Sequence, residues 1–598
     1  MKKCGMKLAQ MVVGIFFFLG SVSMASTPIS DEPFAPDEHA HGEVTLHVAT
    51  DSRTMPDGSS ALKTIMEALD SARPLLAAGR GVRILIHPGM YKETLVFDVT
   101  GESDLLRDTP LTIEGAGDGV LISGLSPEVF DAEWKPVPGQ TDIYMEDWPY
   151  PFHLYEGPWT GMKRPLPGLA ARSEMLYRLS GKPLQPRALE KFLWEGGKDG
   201  HWVFKGMNAL SVLERPDTFA VALSPDAPGA WRGKVFVRTA PGAGVESLRD
   251  IVLPRRLWDG SKTGRLAHFA GKNHLTLRNL TFQHAGTHLL GMALMVQDGG
   301  HILIEDCRMI NNAGAGLRLH QNRKVMVRRV VCAGNGYNGI GGNSREVVFE
   351  DVDLVSNNWR SSHAGWRNWD SAGVKFGGGS RDVVFRRCSA VNNADHGFWN
   401  DVYVHNILYE SCVAWGNAGH GFFLELTGLD AESNRVERSV SAFNGAGVNI
   451  SSVRKAAVRD SVLYRNKRAQ VILSEWANRK PTTAEAIDTL EIRGTHMEAD
   501  GGSPLLMMTG ALARNGEKIA PALLFSGNHY IAAPGRAPFD VSGKPLDFAG
   551  WRNWLKGNGA KAPQDLDSSW LGSESSEWTP GKLKAHAEEI LGRPVPGL

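Results

Sequence analysis

The chain is short of cysteine, of net charge and of long apolar runs, and each shortage excludes something. Lys plus Arg number 65 and Asp plus Glu number 65, so no global field draws it to nucleic acid or to an acidic membrane. Of five cysteines, Cys4 precedes the first apolar run, which argues against a lipid-attachment site. The other four are Cys307, Cys332, Cys388 and Cys412. Cys388 and Cys412 recur in one local frame, Phe385-Arg386-Arg387-Cys388 and Tyr409-Glu410-Ser411-Cys412. They read as a ladder of small core thiols, with an export-compartment disulfide as the alternative. No paired cysteine or Asp-rich loop stands out, so neither metal nor cofactor is expected.

The one apolar run is at the start. Lys2, Lys3 and Lys7 lead into Leu8–Gly20, and Ser23-Met24-Ala25 offers small residues at a cleavage site. This is the pattern of a secretory signal peptide over residues 1–25. A membrane anchor needs about 20 apolar residues, more than this run has. Residues 26–43 are polar and proline-containing and read as a flexible lead-in. An exported protein with no membrane contact after cleavage is expected. The 67 glycines and 17 tryptophans suggest many turns and an aromatic surface suited to sugars, although Trp is also an ordinary core residue.

From about residue 275 the sequence repeats. Apolar triplets follow one another: Leu275-Thr276-Leu277, Ile302-Leu303-Ile304, Val325-Met326-Val327, Val347-Val348-Phe349, Val383-Val384-Phe385 and Ile407-Leu408-Tyr409. Asparagines precede glycine turns at 312, 335, 358, 393, 417 and 444, in steps of 23, 23, 35, 24 and 27. Glycines 316, 339, 373, 397, 421 and 447 step by 23, 34, 24, 24 and 26. A unit this short, strand-rich and without helical periodicity cannot close its own core and must stack on copies of itself. Leucine-rich repeats share the length but would show a leucine ladder. The asparagines fit an internal ladder of stacked amides.

These features resemble the pectin-lyase-like right-handed β-helix superfamily. The N-terminal region adds to the likeness: Val48-Ala49-Thr50-Asp51, Asp57-Gly58-Ser59-Ser60, an amphipathic stretch from Leu62 to Leu76, then a strand from Val82 to Tyr91. The resemblance covers roughly residues 45–575 with one interruption. It implies an all-β, right-handed parallel β-helix with an N-terminal capping helix, and a polysaccharide or oligosaccharide substrate. The solenoid is expected to start over 44–129 and to run over 256–535. Between 130 and 255 the period is lost, which reads as an inserted β-rich module. Residues 536–598, with Trp551, Trp554, Asp565 and Trp570, are expected to cap the open end.

Side chains alternate faces along a strand. If Phe398 and Phe422 fill the interior, Trp399 and Asp401 face outward on one coil and Phe423 and Glu425 on the next. Counted from the repeat glycine, Arg318, Lys375 and Trp399 share one outward position, and His320, Asp401 and Glu425 share another. Asp401 and Glu425 are one coil apart, so their backbones should lie about 4.8 Å from each other. Retaining glycosidases hold their carboxyls about 5–5.5 Å apart. Two solvated acids at strand ends are the plain alternative. Immediately upstream, an insertion of about ten residues carries Trp359, Arg360, His363, Trp366, Trp369 and Asp370, the composition of a sugar-binding lip. His396 and His420 precede their glycines on adjacent coils and suit a turn or partly buried role as well as substrate contact.

The run from the insertion through Gly373-Val374-Lys375, His396-Gly397-Phe398-Trp399-Asn400-Asp401 and Gly421-Phe422-Phe423-Leu424-Glu425 is similar to β-helix glycoside hydrolases, including a β-xylosidase family that uses Asp and Glu. Only Asp401 and Glu425 carry over. The first expectation is therefore a retaining hydrolase, with Asp401 as nucleophile, Glu425 as acid/base and Lys375 keeping the nucleophile ionised. The second is a polysaccharide lyase or uronate epimerase in which Lys375 or a histidine takes the proton and Arg318 or Arg360 meets a carboxylate. The third is a non-catalytic glycan-binding solenoid.

Overall fold

A computed structural model describes residues 44–147 and 216–598, with breaks at 52–53, 56–59, 127–131, 228–229, 253–263, 287–291, 360–370, 427–432, 476–486, 510–511, 513, 533–536, 562–564, 566 and 573–575. Between 148 and 215 it describes only four short strands. The expected signal peptide and lead-in lie outside the described residues.

The apolar triplets form strands because alternate residues can be buried against the coils above and below. Leu275 and Leu277, Ile302 and Ile304, Val347 and Phe349, and Ile407 and Tyr409 are all buried. Each stacks on its counterpart in strict register, as in Leu275 with Ile302 and Val383 with Ile407. Burying side chains of this size contributes about 1.5–3 kcal/mol each, which a single coil could not collect alone. One full coil consists of strands His396–Asn400, His405–Glu410 and Val413–Trp415. Repeated, these three positions give three parallel ladders, the third forming a sheet of 13 strands. The fold is the expected right-handed parallel β-helix. Rings also stack through the interior: Phe349 on Phe385 at 4.5 Å, Phe385 on Tyr409 at 5.0 Å and Phe398 on Phe422 at 5.0 Å.

The amphipathic stretch near the N-terminus is a helix, Ile65–Ala77, started by a capping box between Thr64 and Glu67. It buries Ile65, Ala68, Leu69, Ala72 and Leu76 over the first coil. Strand Leu111–Gly115 then pairs directly with Leu275–Arg278, so the ladder continues across the intervening 159 residues. By backbone contacts the chain divides into two compact units, and residues 130–176 and 184–251 belong to the smaller. That unit contains a five-stranded sheet built around the hairpin Thr218–Ala227 and Ala230–Arg238, with Ile143–Asp147 antiparallel to the second strand.

The amide ladder is present, with one change of membership. Asn312, Asn335, Asn357, Asn393, Asn417, Asn444 and Asn466 each donate through Nδ2 to the next side chain, at 2.8–3.1 Å, ending on Gln470 Oε1. Asn357 takes the place expected of Asn358. The ladder residue follows one left-handed residue that ends the third strand: Gly334 before Asn335, Asn392 before Asn393, and Ser356 before Asn357. Strand Asp353–Val355 fixes that register, and Asn358 falls one position too late.

The charges are spent in a second ladder. Arg278 pairs with Glu305, Glu305 with Arg328, Arg386 with Glu410, and Arg459 with both Glu437 and Glu491. From Arg278 to Glu410 the sign alternates on successive coils, which places opposite charges side by side in the sheet, and the alternation breaks where Glu410 meets Glu437. The four cysteines are buried and free, as the thiol-ladder reading expects. At the far end, helix Phe548–Gly557 buries Trp551 against Phe539 and stacks it on Trp554. Helix Pro580–Leu591 does something else: Leu583, Ala587 and Leu591 pack on the outer face of the third sheet, against Val413, Val440 and Val462.

Candidate active site

The outward columns follow from the strand register. Lys375, Trp399 and Phe423 stand opposite one another on three consecutive coils. Two residues on in the last two of these coils come Asp401 and Glu425. In the coil of Lys375 the corresponding residue is Gly377, where a Cβ would lie 2.7 Å from the Asp401 carbonyl oxygen. The bare glycine lets the Asp401 backbone close onto the preceding coil, where its N–H donates to Phe376 O at 2.8 Å.

Lys375 Nζ lies 3.0 Å from Asp401 Oδ2 and 3.6 Å from the centre of the Trp399 ring. The indole Nε1–H donates to Glu425 Oε2 at 3.0 Å, and the Phe423 ring stacks on the indole at 5.3 Å. One connected group therefore holds an ammonium, two carboxyls and two rings. Phe398 and Phe422 are interior, as expected, and the acids are on the other face. The expectation of solvent-facing acids needs correcting: Asp401 is 9% exposed, Glu425 7% and Trp399 2%. Trp399, expected to contact substrate, is enclosed between its neighbours along the stack. Among the described residues, Asp401 Oδ1 is buried without a hydrogen-bond partner.

His396 and His420 stack at 4.7 Å with near-parallel planes. The backbone N–H of His420 donates to His396 Nδ1 at 2.9 Å, which fixes the neutral tautomer of that ring. Burial, with Lys375 nearby, pushes the His396 pKa down to about 3. Burial also holds His420 well below the usual imidazole range. His420 Nε2 meets Asn449 Nδ2 at 3.1 Å, and Ser474 Oγ donates to Asn449 Oδ1 at 2.9 Å. Behind His396, Ser371 Oγ donates to Asp395 Oδ2 at 2.5 Å. These histidines, His396 fully buried and His420 half-buried, form a neutral stack behind Trp399 and Phe423, and sequence spacing gave no sign of the polar partners Asp395, Asn449 and Ser474.

Arg318 and His320 are half-buried two coils upstream: Arg318 is in register with Gly341, and Gly341 with Lys375. Strand spacing puts that column about 10 Å from Lys375. Burial, then the charge of Arg318, lowers the His320 pKa. Trp359 is half-buried and donates its indole N–H to Gly334 O at 3.1 Å, which ties it to the preceding coil. Arg360, His363, Trp366, Trp369 and Asp370 lie outside the described residues.

The residues after both acids, Val402 (φ 53°) and Leu426 (φ 52°), are left-handed. Branched apolar residues rarely take this conformation, and such strain gathers at functional sites. Tyr403, also left-handed, is 53% exposed beside Asp401.

A family model described as a right-handed β-helix region matches residues 266–428. No curated protein matches the chain. Among solved structures, the chain is similar to one described as a glycoside hydrolase, at 14% identity over 88% of this chain and 100% of that one, with a TM-score of 0.42. It is similar to the mannuronan C-5 epimerase AlgE4 A-module of Azotobacter vinelandii, at 13% identity over 88% of this chain and 100% of that one, with a TM-score of 0.46. A GH136 lacto-N-biosidase from Eubacterium ramulus aligns at 10% identity over 75% of this chain and 67% of that one, with a TM-score of 0.34. These likenesses concern the fold. Among the described residues no helix is long and apolar enough to cross a membrane, and no cluster of His, Cys, Asp and Glu could hold a metal ion.

Proposed function

We propose that the chain is an exported glycan-active enzyme, a retaining glycoside hydrolase acting through Asp401 and Glu425. The observation that carries this is the linking of two carboxyls one coil apart through one group: Asp401 is ion-paired with Lys375, whose ammonium lies over the Trp399 ring, and the Trp399 N–H donates to Glu425. The Lys375 ammonium supplies a counter-charge beside the Asp401 carboxylate, which acts as nucleophile. That carboxylate attacks the anomeric carbon, the bond to the leaving oxygen breaks, and Glu425 gives that oxygen a proton. Glu425 then takes a proton from water, which attacks the same carbon and frees Asp401.

The lyase or epimerase reading asks Lys375 to be a neutral base. A lysine 3.0 Å from a carboxylate and over an indole face is held in its charged form instead. His396 is fully buried and has no access to a substrate.

The test is a panel of aryl and natural glycosides. Asp401→Asn and Glu425→Gln should each abolish cleavage of natural glycosides; both should fold, with the melting temperature preserved in Glu425→Gln and lowered in Asp401→Asn, which takes the carboxylate from the Lys375 ammonium. Glu425→Gln should keep the first step on a dinitrophenyl glycoside, whose leaving group needs no proton. Wild-type activity in either variant, or an unsaturated uronate product absorbing in the ultraviolet, would overturn the reading.

A further inference from the structure

Trp399 stands apart from the interior column. With Ala372 and Phe423 it makes a three-residue cluster separate from the main core. Its ring is filled on every side that is described: Lys375 lies 3.6 Å from its centre, Phe423 stacks at 5.3 Å, and His396 meets it edge-on at 5.0 Å. No face is left for a sugar. What remains is its chemistry toward the two acids, because the ring touches the partner of one and donates to the other.

We infer that Trp399 is a positioning residue that sets both carboxyls: its face fixes the ammonium that pairs with Asp401, and its N–H fixes the rotamer of Glu425. This rests on the hydrolase reading of the two acids. A phenylalanine would keep the face and lose the N–H. A positively charged neighbour over an indole and a hydrogen bond to a carboxyl are independent attractions, so one rigid ring holds the two groups at a fixed separation. The titratable groups packed around it are Lys375, Asp401, His396, His420 and Glu425 itself. Removing a donor from a carboxylate raises its pKa, and a higher pKa for the general acid moves the alkaline limb of activity to higher pH.

The experiment uses the full chain and the glycoside cleaved by the wild type. Trp399→Phe should lower kcat about ten- to a hundredfold, the range for a lost hydrogen bond to a charged group, with KM within about twofold. The alkaline limb should move up, and the melting temperature should change little. With a dinitrophenyl leaving group the loss should shrink, because Glu425 is then not needed as an acid. Wild-type kcat and pH profile would overturn the inference. So would a lost kcat with an unmoved pH profile and a lowered melting temperature, which is the signature of packing alone. If Trp399→Phe does not fold, fluorine NMR of the unmutated chain with 5-fluorotryptophan decides: the Trp399 resonance should titrate with pH in the wild type and not in Glu425→Gln. Titration that survives in Glu425→Gln overturns the inference. Failure of the hydrolase reading looks different, because Asp401→Asn or Glu425→Gln would then remain active whatever Trp399→Phe does.

Discussion

The ammonium of Lys375 lies 3.0 Å from Oδ2 of Asp401, across the boundary between consecutive coils, and both side chains are mostly buried. Breaking such a pair from one side leaves a buried charge alone, at a cost of about 3–5 kcal/mol. Lys375→Met should therefore lower the melting temperature, and the double variant Lys375→Met/Asp401→Asn should recover part of the loss. Activity of the single variant should fall at least a hundredfold at neutral pH. Steady-state rates at neutral pH and thermal melts of the single and double variants check this.

His396 makes stability depend on pH. Above about pH 6.5 the ring is neutral in both states and the full stability is present. Between about 6.5 and about 3, the folded value, the unfolded chain takes up a proton that the buried ring refuses. Stability is therefore lost as pH falls through this window, by up to about 1.4 kcal/mol per pH unit. His420, depressed in the same direction, adds to the effect. Thermal melts from pH 7 to pH 4 should show a shallower decline in His396→Gln than in the wild type.

Much of this was legible from the sequence because a stacked fold prints its register. The triplet Val383-Val384-Phe385 and the glycines 373, 397 and 421 gave strand positions, interior Phe398 and Phe422, and the outward sides of Asp401 and Glu425. The repeat did not reveal burial. Outward in a β-helix means outside the column, and Asp401 and Trp399 are enclosed by neighbours along the stack that periodicity does not count. The expectation that Asn358 joins the ladder failed for a related reason: only the end of strand Asp353–Val355 shows that the amide of Asn357 enters it. The Arg and Glu pairs of the charge ladder are plain once register is known, yet composition reports only their cancellation.

Asn357→Ala should be strongly destabilising. Its Oδ1 accepts from Asn335 N and Nδ2, and its Nδ2 donates to Cys332 O and Asn393 Oδ1. Truncation strands several buried groups at about 1–3 kcal/mol each. The melting temperature should fall by many degrees, and hydrogen exchange should rise locally over the coils that carry Asn335 and Asn393.

Cys307, Cys332, Cys388 and Cys412 are free and buried, and burial pushes the Cys307 thiol up to about 12. Thiols held protonated and covered are unreactive. The native protein should consume no thiol reagent at these positions, and the denatured, unreduced chain should consume four equivalents from them. A mass lower by two protons, marking a Cys388–Cys412 bridge, would contradict the structure.

On the hydrolase reading, Tyr403 is the aromatic among the described residues near Asp401 that we expect to meet the sugar. Trp399 is sealed and Trp359 is tied to Gly334, whereas Tyr403 is 53% exposed two residues beyond Asp401. Its backbone N–H donates to Leu426 O at 2.8 Å, so the ring is carried on a main-chain segment pinned next to Glu425, which lowers the ordering cost of binding. A ring against a pyranose contributes about 1 kcal/mol, a factor of about five in affinity. Tyr403→Ala should raise KM about fivefold and leave kcat within about twofold. With half its surface already in water, its melting temperature should fall by no more than a few degrees. Steady-state kinetics and a melt on that one variant test both halves. An unchanged KM would remove Tyr403 from the binding surface, and a large fall in melting temperature would mean that the ring serves the turn rather than the substrate.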